Sequence, residues 1–237
     1  MTNVSPNGLD WQHFSGYLED FRKGLIHIGI AIFMTFIGIY PVVPSALCYL
    51  KTLANADLAA FGTPEAFFAM LQLNLEISVL ICMPLILCKI LAPLPRFFPS
   101  FSNKAIFAFW LSSVTLFYAG VFFCFKITLP YGIKFLLGFE TTNIKALISV
   151  DKFVSFCAMF LLGFGLVFQM PVAMVLSGRL FNVDYRRLSR HRREAILILT
   201  FVSAILTPTP DAMNMMLMAI PLYLLFEIGL LGIRFLN

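Results

Sequence analysis

Six apolar segments, with almost all the arginine confined to the gaps between alternate ones, constrain this chain more than any other feature. The runs fall near 24–44, 66–92, 105–130, 153–178, 195–207 and 212–233. Four or five of them reach the ~20 residues that carry a helix across about 30 Å of hydrocarbon. Only 12% of the residues are charged, against about 25% in a soluble domain. The expected fold is an all-α integral membrane protein, one domain over residues 1–237, with six transmembrane helices.

Arg22, Arg96, Arg179, Arg186, Arg187, Arg190, Arg192, Arg193 and Arg234 all lie before segment 1, between 2 and 3, between 4 and 5, or after 6. The remaining gaps carry only Lys51, Lys134, Lys145 and Lys152, with Lys126 at a helix end. Positive charge collects on cytoplasmic loops, which places both termini in the cytoplasm. The net charge of +5 is therefore a topology signal rather than a nucleic-acid surface.

Segment 5, Ala195 to Thr207, spans thirteen residues, about 20 Å of helix and too short for an ordinary bilayer. Leaving it outside the membrane would put Arg234 on the wrong side. The reading that keeps the charge pattern is a short hairpin, turning at Thr207–Pro208–Thr209–Pro210, with segment 6 opening at Asp211. Such a pair must thin the bilayer or shelter behind neighbours.

Residues 1–23 lack the apolar core of a cleavable signal peptide. Cys48, Cys82, Cys88, Cys124 and Cys157 form no CxxC pair and read as small apolar packing residues. His13, His27 and His191 are too scattered for a metal or haem site, and no phosphate loop or nucleophile elbow occurs. The chain is read as a non-enzyme without cofactor or metal.

In the N-terminal tail, Trp11, Phe14, Leu18, Phe21 and Leu25 share one helical stripe, with Asp20 opposite its middle and Glu19 to one side. This predicts an amphipathic cytoplasmic helix over 9–23 running into segment 1. Its acids either solvate a polar face or recruit a basic peptide. Segment 2 opens with Thr63–Pro64–Glu65, read as an N-cap, a proline at the first helical position and a capping acid. About a third of the way in, Glu76 stacks with Gln72, and an acid at that depth must face protein or water. Segment 4 carries Gln169 before Pro171, a polar group beside a helix break, which is either a self-satisfied kink or a functional notch. Segment 6 holds Pro221 and Glu227, and Asp211 reads as its cap. Residues 45–62 suggest a short amphipathic helix, and 131–150 a cap on the far side.

These stretches together resemble the TatC family, the multispanning receptor of the twin-arginine protein translocase. The resemblance is carried by Tyr17–Leu18–Glu19–Asp20–Phe21–Arg22 (family pattern HLxELR), Thr63–Pro64–Glu65–Ala66–Phe67–Phe68, and Leu129–Pro130–Tyr131 running to Phe139. It continues through Phe164–Gly165, Phe168–Gln169–Met170–Pro171, Leu206–Thr207–Pro208, Pro210–Asp211, Ala219–Ile220–Pro221 and Phe226–Glu227. The matches run in order over about residues 12–234.

The resemblance implies a protein of the bacterial inner membrane that binds twin-arginine signal peptides of folded cargo. It implies TatA/TatB-type single-span partners, a homo-oligomer within the complex, and energy from the proton-motive force. The family's signal-binding glutamate falls on Asp20, flanked by Glu19 and Arg22. Gln169, Glu227, Asp211 and Glu76 are the intramembrane polar candidates, and Pro64, Glu65, Phe67 and Phe68 the helix start on the far side. Two positions depart from the pattern. Residues 93–104 contain no acid, with Ser102 near the place of one, and Gln169 stands where the family has glutamate. The alternative is a secondary transporter with Glu76, Gln169 and Glu227 lining a path, although no inverted repeat supports it.

Overall fold

The computed structural model describes residues 11–54, 58–97, 102–137, 148–181, 185–206 and 212–236, nearly all of them helical. Helix α1 (Trp11–Ile39) passes through a 3-10 turn at Tyr40–Val42 into α2 (Val43–Ala54). Strand β1 (Leu58–Ala59) precedes α3 (Thr63–Leu91), the single-turn α4 (Leu94–Phe97) and α5 (Asn103–Phe123). A π-helical stretch, Cys124–Thr128, continues α5 into α6 (Leu129–Leu137). Then come β2 (Ile148–Ser149), α7 (Val150–Val167), α8 (Met170–Phe181), α9 (Tyr185–Arg190), α10 (Arg192–Leu206) and α11 (Ala212–Leu236).

Five stretches among the described residues are long and apolar enough to cross a membrane: Arg22–Thr52, Pro64–Leu91, Asn103–Ile133, Val150–Leu180 and Met218–Phe235. Helix α10 is the short one. Its fifteen residues give about 22 Å. It lies antiparallel against α11, held by the Ser203 hydroxyl donating to the Met215 carbonyl at 2.6 Å and by Arg192 meeting Glu227 at 3.0 Å. The hairpin expected from the short fifth segment therefore forms, with the described part of α11 opening at Ala212.

Prolines explain where the helices change character. The first segment stops being α-helical at Tyr40, because Pro41 has no N–H with which to continue the ladder. Helix α2 realises the amphipathic helix expected within 45–62 but is complete by Ala54. The π-helical stretch ends two residues before Pro130, another residue without a backbone donor. In α3, Pro84 leaves the Leu80 carbonyl without its usual partner, and Tyr118 of α5 donates its hydroxyl to that oxygen at 3.0 Å. Trp110 donates to the Pro84 carbonyl at 2.9 Å, so α5 is fastened to α3 at the very turn the proline disturbs.

The start of α3 corrects the sequence reading. Its N-cap is Gly62, with extended backbone, and Thr63 is already the first helical residue. Glu65 closes the cap from inside, accepting from the Phe61 N–H at 2.7 Å and the Gly62 N–H at 3.2 Å. A two-residue parallel pair, Leu58 opposite Ile148 and Ala59 opposite Ser149, joins this start to that of α7. No periodicity in such short strands announces it.

Helix α3 is central, packing against α1, α2, α5 and α7, while α8 packs on α11 and α11 on α10. The outer α1 is tied to α3 inside the apolar layer by Asn74, whose side-chain amide donates to the Phe36 carbonyl at 2.9 Å. Helices α5 and α7 approach closely. A Cβ added at Gly165 would sit 2.5 Å from the ring of Phe117, which is fully buried and cannot swing aside. Gly165→Ala is expected to destabilise by about 1–3 kcal/mol through overpacking, read as a lower thermal midpoint in detergent. Gly29, with nothing within 4 Å of its added Cβ, is the control. An equal midpoint for both alanine variants would refute the tight α5–α7 seam.

Candidate functional site

The polar residues marked in the sequence fall into separate places, each with its own partners. Helix α1 runs without interruption from Trp11 to Ile39, so positions 19 and 20 lie on the same rigid rod as the first span. The side chains of Glu19 and Asp20 lie outside the described residues. Arg22 is exposed. The helix expected over 9–23 and running into segment 1 is, in its described part, the leading portion of α1.

At the break between α7 and α8, the Gln169 side-chain amide donates to the Ser113 carbonyl of α5 at 3.0 Å. The amide thus ties two spans together rather than satisfying its own kinked helix. The backbone around it is bridged by the Gln169 N–H to the Leu166 carbonyl and the Ala173 N–H to the Gln169 carbonyl, at 3.0 and 2.9 Å. Next to this break lies a groove of about 350 Å³ between α5, α8 and α11. Ala105, Ala108, Pro171, Val175 and Gly232 line it, with Ser112 and Arg179 as its polar members. Small side chains on facing helices create this space, and an apolar strip of chain suits its walls.

Glu227 is held on two sides. Arg192, at the start of α10, donates to it at 3.0 Å, and the Tyr223 hydroxyl one turn earlier donates at 2.8 Å. Both ion-pair partners are partly exposed, with side chains 42% and 27% accessible. Tyr223 stands four residues before Glu227, a spacing readable from sequence. Arg192 becomes a partner only once the hairpin is folded.

On the face where β1 and β2 pair, Glu65 also accepts from the hydroxyl of Ser149, the N-cap residue of α7. Pro64 is exposed, as are Phe67 and Phe68, whose rings meet edge to face at 5.8 Å. These aromatics point away from the core while Glu65 secures it. Deeper in α3, Gln72 accepts from the Ser155 hydroxyl of α7 at 3.1 Å. Glu76 is only 4% exposed, and neither of its carboxylate oxygens has a hydrogen-bond partner among the described residues. Asp211 lies outside the described residues, and its expected capping role with it. Glu76, Gln169 and Glu227 are engaged with different surroundings, so a single path lined by all three is not assembled.

A family model described as Sec-independent protein translocase protein (TatC) matches residues 16–221 of this chain. The chain belongs to the TatC family. It is 30% identical over 224 residues to the TatC of Carboxydothermus hydrogenoformans, covering 93% of this chain and 92% of that one. Against the TatC of Escherichia coli K12 the identity is 28% over 237 residues, covering 95% and 90%. A crystal structure of the twin-arginine translocase receptor TatC in DDM superposes with a TM-score of 0.78 at 28% identity, over 90% of this chain and 97% of that one. TatC membership makes this chain a multispanning helical subunit of a protein translocase. It also replaces the small-solute transporter as the frame for the polar residues. Within that frame Gln169, beside the break between α7 and α8, is a side chain that cross-links helices.

Proposed function

We propose that this chain is the receptor subunit of a twin-arginine translocase, holding the arginine pair of a signal peptide at Asp20, with Glu19 beside it. The observation that supports this most is the unbroken α1. Asp20 stands four residues before the apolar segment opens at Gly24, about 6 Å along the helix axis. That is the headgroup level, where a peptide entering the membrane presents its basic end. Guanidinium groups are best held by carboxylates that accept bidentate hydrogen bonds where water is partly excluded. Residues 93–104 offer no second acid, which concentrates the recognition on Asp20. Arg22, exposed on the same rod, orients the acids toward the cytoplasmic boundary.

In this reading both termini are cytoplasmic, in the inner membrane of a bacterium. The apolar stretch of the peptide lies along the groove beside Gln169, and TatA/TatB-type single-span subunits complete the complex. Copies of the chain assemble together, and the proton-motive force drives transport of folded cargo. The test is site-specific crosslinking of a twin-arginine peptide to the full chain in membranes. Asp20→Ala is expected to cut crosslinking at least tenfold at normal protein level, and Asp20→Glu to restore it. Gln169→Leu is expected to spare crosslinks from the arginine end and lower those from the apolar stretch. Undiminished crosslinking by the alanine variant removes Asp20 from the site, and unchanged apolar crosslinks reduce Gln169 to a structural tie.

A further inference from the structure

We propose that Glu76 is a proton-binding site inside the bundle, exchanging with water along the α3–α7 seam from the end that carries Glu65 and Ser149. Neither the receptor reading nor the family membership assigns this residue a role, and the proposal stands whether or not Asp20 binds peptides. Three observations carry it.

The first is position. Glu76 lies thirteen residues after Thr63 and fifteen before Leu91, near the middle of α3. It is nine-tenths buried or more, and both carboxylate oxygens lack a partner among the described residues. An ionised carboxylate left unpaired in an apolar interior is strongly penalised, whereas the neutral acid loses far less on burial. A structural carboxylate would be expected to carry a cation or a set of donors, as Glu65 and Glu227 do. Glu76 has neither.

The second is what surrounds it. Among the described residues, the titratable groups facing Glu76 are two buried thiols, Cys157 from α7 and Cys124 from the π-helical stretch that follows α5. Helices α1 and α2 also pack on α3, but no charged group from either acts on the carboxyl. Nothing among the described residues would hold it permanently ionised.

The third is a polar line leading to it. Glu65 is bound to Ser149 at the end of the bundle. Further in along the same α3–α7 interface, Gln72 is bound to Ser155. Glu76 follows Gln72 by one turn on the same face. From Glu65 to Glu76 is about 16 Å along the helix axis. The remainder of the contact is apolar, with Ala69, Leu73, Val154 and Phe160 all buried. A proton arriving from water at the Glu65 end converts the carboxylate to the carboxylic acid and departs by the same route. Occupancy then follows the acidity on that side of the membrane.

The test uses the full chain in liposomes. Infrared spectroscopy should show a carboxylic-acid carbonyl band that disappears in Glu76→Gln, a near-isosteric change that preserves the fold. On transfer to deuterium oxide that band should shift, and Gln72→Leu combined with Ser155→Ala should slow the shift at least tenfold. A band unaffected by Glu76→Gln, or equal exchange in the seam variant, overturns the proposal. Should the seam variant fail to accumulate, mapping of dicyclohexylcarbodiimide adducts on the unmodified chain decides. Labelling at Glu76 that falls at least fivefold as the pH outside the Glu65 end rises is the expected result. Absent or pH-independent labelling overturns it.

Discussion

Four leucines inserted between Leu197 and Ile198 of α10 are expected to abolish protein export while the chain still enters the membrane. The insertion lengthens α10 by about 6 Å and rotates everything beyond it by about 40°. The two ties that fix the hairpin register, Arg192 to Glu227 and Ser203 to Met215, then cannot both form. Loss of export alone would not separate a slipped register from a thickened membrane. A second variant does, with the same four residues also added between Pro221 and Leu222 of α11, which restores both ties in a longer hairpin. If the short pair works by thinning the bilayer, the matched variant stays inactive, because a hairpin near full hydrocarbon thickness no longer distorts the lipid. Recovery of at least half the export rate would show instead that register alone matters.

Reversing either charge of the Arg192–Glu227 pair is expected to have the next largest effect. Glu227→Arg places two cations together beside Tyr223, and Arg192→Glu does the same with two acids. Each single variant should lower the amount of folded protein or its export at least tenfold. The double reversal should recover most of that loss, since α10 and α11 regain an opposite-charge contact at the same height. The strength of recovery measures the coupling directly, as a double-mutant cycle does. Failure of the double variant to exceed either single one would show that Arg192 and Glu227 act separately.

Much of this architecture was legible because membrane helices announce themselves by hydrophobic length alone. The short fifth segment also carries through, as α10 beside α11. What sequence concealed were contacts between positions far apart in the chain. Ser149 reaches Glu65 across 84 positions and Ser155 reaches Gln72 across 83, and neither serine stands out in an apolar run. The Tyr118 contact to the Leu80 carbonyl was hidden for another reason. Pro84 predicts an orphaned carbonyl but not which neighbour will satisfy it. Thr63 reads as the cap of α3 because hydroxyls are favoured there, whereas glycine in extended backbone serves when a glutamate closes the cap from within. Glu76 was visible as an anomaly, but only packing distinguishes an acid facing a channel from one sealed among thiols.

The break at Phe168–Gln169 also has a consequence for how the molecule is built. The main helices that α3 packs against, namely α1, α2, α5 and α7, precede the break in the chain, while α8 finds its main partner in α11, which comes last. At roughly 5–20 residues per second, the stretch after α7 takes on the order of 3–14 seconds to synthesise. The first group of helices can settle in the bilayer during that interval. The hairpin then arrives as a latecomer, adding the final wall to a body already standing.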